Sequence, residues 1–222
     1  MWAFYFHELI GTLPLFLKGV WVTVSISALS LVAGSLLGFL LGILRTGKSR
    51  TLRALIGAWV DVVRGTPFLV QIFMVFFILP ELGIQLEAFQ AAVIALTNLS
   101  ACFICEIVCW AIHAVPKGQK EAAIAAGLTS SQQLRHVILP QAAKLILPPL
   151  VGQYVLLIKD SAVVSAIGLL DVTRVGWLVV QRVPEGLMVF GLVAAIYFVI
   201  CYPLIHLGMR LEQRASPDGQ KL

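Results

Sequence analysis

Charge is what this chain has least of. Asp, Glu, Lys and Arg make up only 12% of its 222 residues, against about 25% in an ordinary soluble domain. Hydrophobic residues make up 59%. That shortage excludes a water-soluble globule, because so much apolar surface finds no aqueous core large enough to hide it. The apolar runs are continuous rather than alternating, which excludes a transmembrane β-barrel. Cysteine is scarce too: there are four, and Cys102, Cys105 and Cys109 share one apolar run, so no disulfide framework is expected. With His113 these three have a spacing that suits soft-metal ligands on one helix face. Small apolar fillers are the plainer account, and no metal is expected. No G-x-x-x-x-G-K-[ST] phosphate loop occurs, so no nucleotide chemistry is expected of this chain. No low-complexity segment or Gly/Ser linker breaks it, and residues 1–222 read as one membrane domain. The opening "MWAFYFHELIGTLPLFLKG" lacks a basic start and a cleavage site, so the first long helix is expected to insert uncleaved.

What is present is a set of apolar runs close to the ~20 residues a helix needs to cross hydrocarbon. Five spans are expected, at about 17–44, 55–79, 88–115, 143–158 and 188–207, in an all-α integral membrane fold. The net charge of +5 is not a nucleic-acid footprint, because the bases sit in short loops. Arg45, Lys48, Arg50 and Arg53 follow the first span. Lys117, Lys120, Arg135 and Lys144 follow the third, and Arg210, Arg214 and Lys221 follow the fifth. The opposite side carries Glu81, Glu87, Asp171 and Glu185. The positive-inside rule then puts the N-terminus outside and the C-terminus in the cytoplasm. The long segment 160–186 is expected to re-enter the membrane in part or to lie on its outer surface.

One polar stretch interrupts this pattern, "EAAIAAGLTSSQQLRHVILPQA" from Glu121 to Ala142. Strong helix formers precede Gly127, which can close a helix in the left-handed conformation. Thr129 or Ser130 can cap a second short helix, and Pro140 marks the start of the fourth span. The product is a helix–turn–helix over about 117–140, with a thin alanine surface that another protein can approach.

The spacing Glu121-Ala122-Ala123, Gly127, then Val137-Ile138-Leu139-Pro140 resembles the EAA signature of ATP-binding-cassette importer permeases, with Val137 where that pattern usually has Ile. The stretches "DVVRGTPFLVQIFMVFFILPELG", "LLIKDSAVVSAIGLLDV" and "YFVICYPLIHLGMRLEQR" are similar to the polar amino-acid group of that family, which handles histidine, glutamine, arginine, cystine and opines. The likeness runs from about residue 17 to 214. It implies a permease subunit of type I importer architecture in the bacterial inner membrane. It implies a second permease subunit, identical or paralogous, and two ATP-binding subunits docked on the 117–140 loop. It also implies an external solute-binding protein and a small polar amino-acid substrate. ATP and Mg would sit on the partners, and this chain would be a transport subunit rather than an enzyme. A stand-alone secondary transporter and a non-transporting membrane scaffold are the alternatives.

Ionisable groups within spans are costly and mark partners or water-filled paths. Asp61, Arg64, Phe68 and Gln71 are spaced to share one face of the second span. Asn98, Cys102, Glu106, Cys109 and His113 do the same on the third. Arg64 and Glu106 fall at matching depths, ~13 Å from the cytoplasmic ends, and are expected to pair. The pair either fixes helix packing or lines the translocation path. Thr66 and Pro67 are expected to bend the second span beside that path. Lys159 and Asp160 either neutralise each other or meet the two charges of a zwitterionic substrate. The chain departs from its group at "CEIVCWAI", where Cys109 and Trp110 stand in place of the usual Arg and Gly.

Overall fold

The computed structural model describes residues 8–182 and 185–215; His7 and Lys221 lie outside them. Eight helices carry the fold among the described residues. They are α1 (Leu13–Arg45), α2 (Arg50–Gly65), α3 (Phe68–Glu81) and α4 (Ala88–Ala114), then α5 (Lys117–Ala125), α6 (Ser130–Ile167), α7 (Val172–Val180) and α8 (Gly186–Ala215). Helices α1, α4, α6 and α8 are each long and apolar enough to cross a membrane. Counting α2 and α3 as one bent span gives five.

Lipid offers apolar surface as readily as another helix does, so helices in membranes associate where backbones can approach closely. Helix α1 is built for this. Its buried residues are almost all small: Gly19, Thr23, Ser27, Ser30, Gly34, Gly38 and Gly42, every third or fourth position. Gly34 sits against Ser100, Gly38 against Ile104 and Gly42 against Val108, so α1 and α4 run in the same direction. Helix α4 is the hub. Ala91, Ala95 and Leu96 pack with Ile26, Ile72 and Leu157 near one end of the bundle. Ile104, Val108 and Ala111 pack with Ile138, Ala142 and Ile146 near the other.

Two expected continuities differ from the structure. The second span bends at Thr66 and Pro67 as expected, but the bend is a full break: α2 ends at Gly65, Thr66 and Pro67 are extended, and α3 leaves at 105° to α2. Pro67 has no N–H to continue the ladder and biases Thr66 toward extended backbone. Asp61 and Arg64 therefore share no face with Phe68 and Gln71. The second discrepancy is at the fourth span, which does not begin at 143. The short helix after Gly127 runs into it, so 130–167 is one helical stretch of 38 residues. Pro140 is absorbed rather than breaking it. The residues just before it, Leu134–Ile138, widen into a π turn. Met74–Ile78 does the same before Pro80 in α3. A proline ring clashes with the carbonyl four residues back in an α-helix, and a wider turn relieves that clash.

Residues 160–182 of the long segment 160–186 pack against the bundle. Ser161–Ile167 is a 3₁₀ turn and α7 comes next, buried by Val172, Val175 and Val179 against α1 and α8. Asp171 caps α7, accepting from the backbone N–H of Arg174 at 2.9 Å and of Thr173 at 3.1 Å. Thr23 Oγ1 on α1 accepts from the N–H of Val172 at 3.2 Å. Burial pushes the Asp171 carboxyl up, against the pull of the N–H groups of Arg174 and Thr173 and the Tyr197 hydroxyl. Asp171→Ala should cost about 1 kcal/mol, the usual worth of an N-cap, and Asp171→Asn, which keeps a capping oxygen, much less. Thermal unfolding of the purified protein checks this, and equal losses for Ala and Asn would contradict the cap.

Candidate functional site

Two regions of the fold hold the residues that the sequence singles out. The first is the turn between α5 and α6. Helix α5 ends in a paired closure: the N–H of Leu128 donates to Ala123 O at 3.1 Å and that of Gly127 to Ile124 O at 2.9 Å. Gly127 has φ +74°, a conformation that a side chain disfavours. Thr129 and Gln132 then form a reciprocal cap at the start of α6, with Thr129 N donating to Gln132 Oε1 at 2.9 Å. Gln141 Nε2 reaches Gln119 Oε1 at 3.3 Å and ties the two helices together. Of α5 only Ala123 is buried. Glu121, Ala122 and Gly127 are exposed, as is Pro140, and Ile124 is 61% exposed. Leu139 is half-buried. The result is a rigid, uncovered knuckle with an apolar side chain at its tip.

The second region is an ionic cluster where α1, α2 and α4 meet. Arg64 Nη1 lies 3.3 Å from Glu106 Oε1. Arg45, at the last turn of α1, bonds the same oxygen through Nη1. One carboxylate thus serves two guanidiniums from two other helices. The Arg64 guanidinium also stands over the Phe103 ring at 5.3 Å, a cation–π contact. The cluster is partly open to solvent, with side-chain exposures of 20% for Arg45, 29% for Glu106 and 39% for Arg64.

Thr66 and Gln71 sit together at the break between α2 and α3. Gln71 Nε2 donates to Val63 O at 2.6 Å and to Thr66 O at 3.0 Å. The carboxamide thereby satisfies carbonyls that the break leaves without helical partners. Asp61 is exposed on α2 and has no ion-pair partner among the described residues. Lys159 and Asp160 close the α-helical part of α6 toward the opposite end of the bundle. Their level is that of Ala91–Leu96 on α4, roughly 20 Å from Glu106 along the helix axis. They form no ion pair with each other in the described residues.

Arg45 reads in the sequence as a loop base, and its place in the cluster comes only from the structure. The glycine repeat is the available signal. G-x-x-x-G-x-x-x-G at 34, 38 and 42 places α1 beside another span and brings the turn after Gly42 to its acidic residue. The three cysteines of α4 are buried, Cys102 and Cys105 in a cluster with Ile56, Val60 and Leu99, and Cys109 Sγ lies 3.5 Å from Gly42 O.

The profile of the family described as binding-protein-dependent transport system inner membrane component matches residues 34–216. The chain belongs to that family. This permease is 36% identical to the arginine transport system permease protein ArtQ of Bacillus subtilis (strain 168), over 96% of its own length and 98% of the relative's. It is 34% identical to the glutamine transport system permease protein GlnP of Escherichia coli (strain K12), over 91% and 93%. Among solved structures it resembles an amino acid ABC transporter crystallised with histidines, with TM-score 0.87 and 33% identity over 94% of this permease and 98% of that chain. The inward-facing MetNI methionine ABC transporter gives TM-score 0.76 at 25% identity, over 93% and 98%. Membership in this family sets aside the stand-alone secondary transporter.

Proposed function

We propose that this permease forms half of the translocation path of an ATP-driven importer for polar amino acids, and that the α5–α6 knuckle is where an ATPase subunit docks. The observation that carries the reading is the knuckle itself. Its residues are spaced as in the EAA signature, and the Gly127 closure leaves Glu121, Ala122, Gly127 and Pro140 exposed on a preformed turn, with Ala123 buried beneath them. The second half of the path is another permease subunit, identical or paralogous. An external binding protein delivers the solute, and ATP and Mg act on the ATPase partners. The N-terminus is outside and the knuckle cytoplasmic, by the loop bases. Arginine and glutamine transport, the activities in the names of ArtQ and GlnP, support the substrate class.

In this reading Glu121, Ala122, Ala123, Gly127, Leu139 and Pro140 make the coupling surface. Arg64 and Glu106, now with Arg45, hold the cytoplasmic halves of three helices in register. Thr66 and Gln71 fix the bend of the second span, and Asp61, Lys159 and Asp160 border the path.

Gly127→Val tests the coupling. A Cβ at 127 meets nothing within 4 Å, so the cost is conformational rather than steric. It is about 1–2 kcal/mol for a side chain held left-handed, and more for a branched one. The expected result is normal membrane insertion with uptake reduced at least tenfold and ATPase association weakened. Gly127→Asn, which tolerates this conformation, should retain most uptake. Full uptake and association in the Val variant would contradict the docking role.

A further inference from the structure

A cleft of 590 Å³ opens between α4, α6 and α8, at the end of the bundle that carries α5. That volume falls within the usual range for small-molecule sites, about 300–1,000 Å³. Its walls are apolar: Ile107, Leu145, Pro148 and Pro149, with the Trp110 ring 59% exposed along one side. Three charged groups border it. Glu106 is already held by Arg45 and Arg64 and serves as wall. Lys144 and Glu212 stand on different helices, and neither has an ion-pair partner among the described residues.

The prolines add a further feature. Pro148 and Pro149 lie inside α6 and have no N–H. The carbonyls four residues earlier, those of Lys144 and Leu145, therefore lose their helical donors. Both residues line the cleft. Among the described residues, the cleft thus presents a cation and a carboxylate without ion-pair partners, beside an aromatic face.

That set matches a free α-amino acid. We propose that the cleft binds the zwitterion itself. The Lys144 ammonium takes the carboxylate, and Glu212 takes the α-ammonium. The side chain lies against Trp110, whose ring accepts an aliphatic or a cationic group. Lys159 and Asp160 are far from this cleft, so it is a separate stop for substrate. Resting on the importer reading, it faces the cytoplasm and fills from the solute already inside. Trp110 then becomes a recognition surface.

The test uses the permease purified with its ATPase, in nanodiscs of phosphatidylcholine and phosphatidylglycerol. L-Arginine and L-glutamine are titrated into the millimolar range without binding protein. The signal is the tryptophan emission of the wild type minus that of Trp110→Phe. The expected result is a saturable change for both amino acids. Agmatine, which lacks the carboxylate, and N-acetylglutamine, which lacks the ammonium, should give none. Lys144→Met and Glu212→Gln should each weaken binding about tenfold or more, as for a lost charged hydrogen bond. No saturable change, or equal responses to the two truncated compounds, would overturn the site. So would a change that appears only when phosphatidylethanolamine is added, which would assign the same charges to a lipid headgroup. The comparison of compounds needs no variant, so a misfolded Lys144→Met does not decide it. A co-purifying ATPase with a silent Trp110 overturns the cleft alone; a missing ATPase counts against the importer reading, and a titratable Trp110 would still support the site.

Discussion

Gly38→Leu is expected to prevent α1 from seating on α4. A Cβ at 38 would stand 2.7 Å from Ile104 Cβ and 2.8 Å from Ala101 O. The second contact is with backbone, which cannot rotate away, so the helices must part. Separation would also open the neighbouring contacts of Gly34 with Ser100 and Gly42 with Val108. Overpacking a well-packed core costs about 1–3 kcal/mol, and this site has no slack on either side. At the upper end of that range and about 2–4 °C per kcal/mol for a chain of this size, the melting point should fall by roughly 6–12 °C. Loss of folded protein from the membrane is the extreme of the same result. Gly38→Ala should already destabilise. Gly152→Ala, where an added Cβ meets nothing within 4 Å, should be neutral or slightly stabilising. Equal melting points for Gly38→Leu and the Gly152 control would contradict close packing of the two helices at 38.

The second large effect is expected at Glu106. Glu106→Gln keeps the shape and removes the charge that Arg45 and Arg64 share. Two guanidiniums then face each other across a half-open site. Breaking a fully buried pair costs about 3–5 kcal/mol. The exposures here, 20–39%, call for a smaller figure, about 1–3 kcal/mol. Arg64→Met and Arg45→Met should each cost less, because Glu106 keeps one partner. The shared carboxylate also changes what a charge swap does. Exchanging Arg64 and Glu106 sets an arginine at 106 against Arg45, so the swap should not restore the wild type. Adding Arg45→Glu to the swap should recover part of the loss. Melting points and uptake of the five variants, measured side by side, check the order. Glu106→Gln no worse than either single arginine variant would contradict the shared ion pair.

Much of this architecture is written in local patterns. The apolar runs of α1, α4, α6 and α8 are long enough to be read directly. Gly127 and Thr129 announce their turn because few residues tolerate the left-handed conformation and few cap a helix. The Arg64–Glu106 approach could be seen because span depth comes from helix rise. Other features depend on partners distant in sequence. Arg45 reads as a loop base until α1 is known to lie parallel to α4, and only the glycine repeat hints at that. Pro67 and Pro140 look alike in sequence, yet one produces a bend of 105° and the other is absorbed in a π turn. The difference lies in the contacts made by the residues after each proline. Gln71 ties off the carbonyls at the first break, while Ala142 and Ile146, with Ile138 just before Pro140, hold α6 straight against α4 at the second. The cleft beside Trp110 brings together residues more than a hundred positions apart, and no spacing in the sequence places them in one wall.

If this permease is coupled to an ATPase through its α5–α6 knuckle, the two should leave the membrane together. The decisive step is to purify the chain from its own membrane in mild detergent and to identify by mass spectrometry what comes with it. An ATP-binding subunit should be found in the same complex, together with one further permease copy or paralogue. The ATP-binding subunit should be lost when Glu121 and Gly127 are substituted together. A single homogeneous species that retains no ATPase at any detergent strength would contradict the coupling.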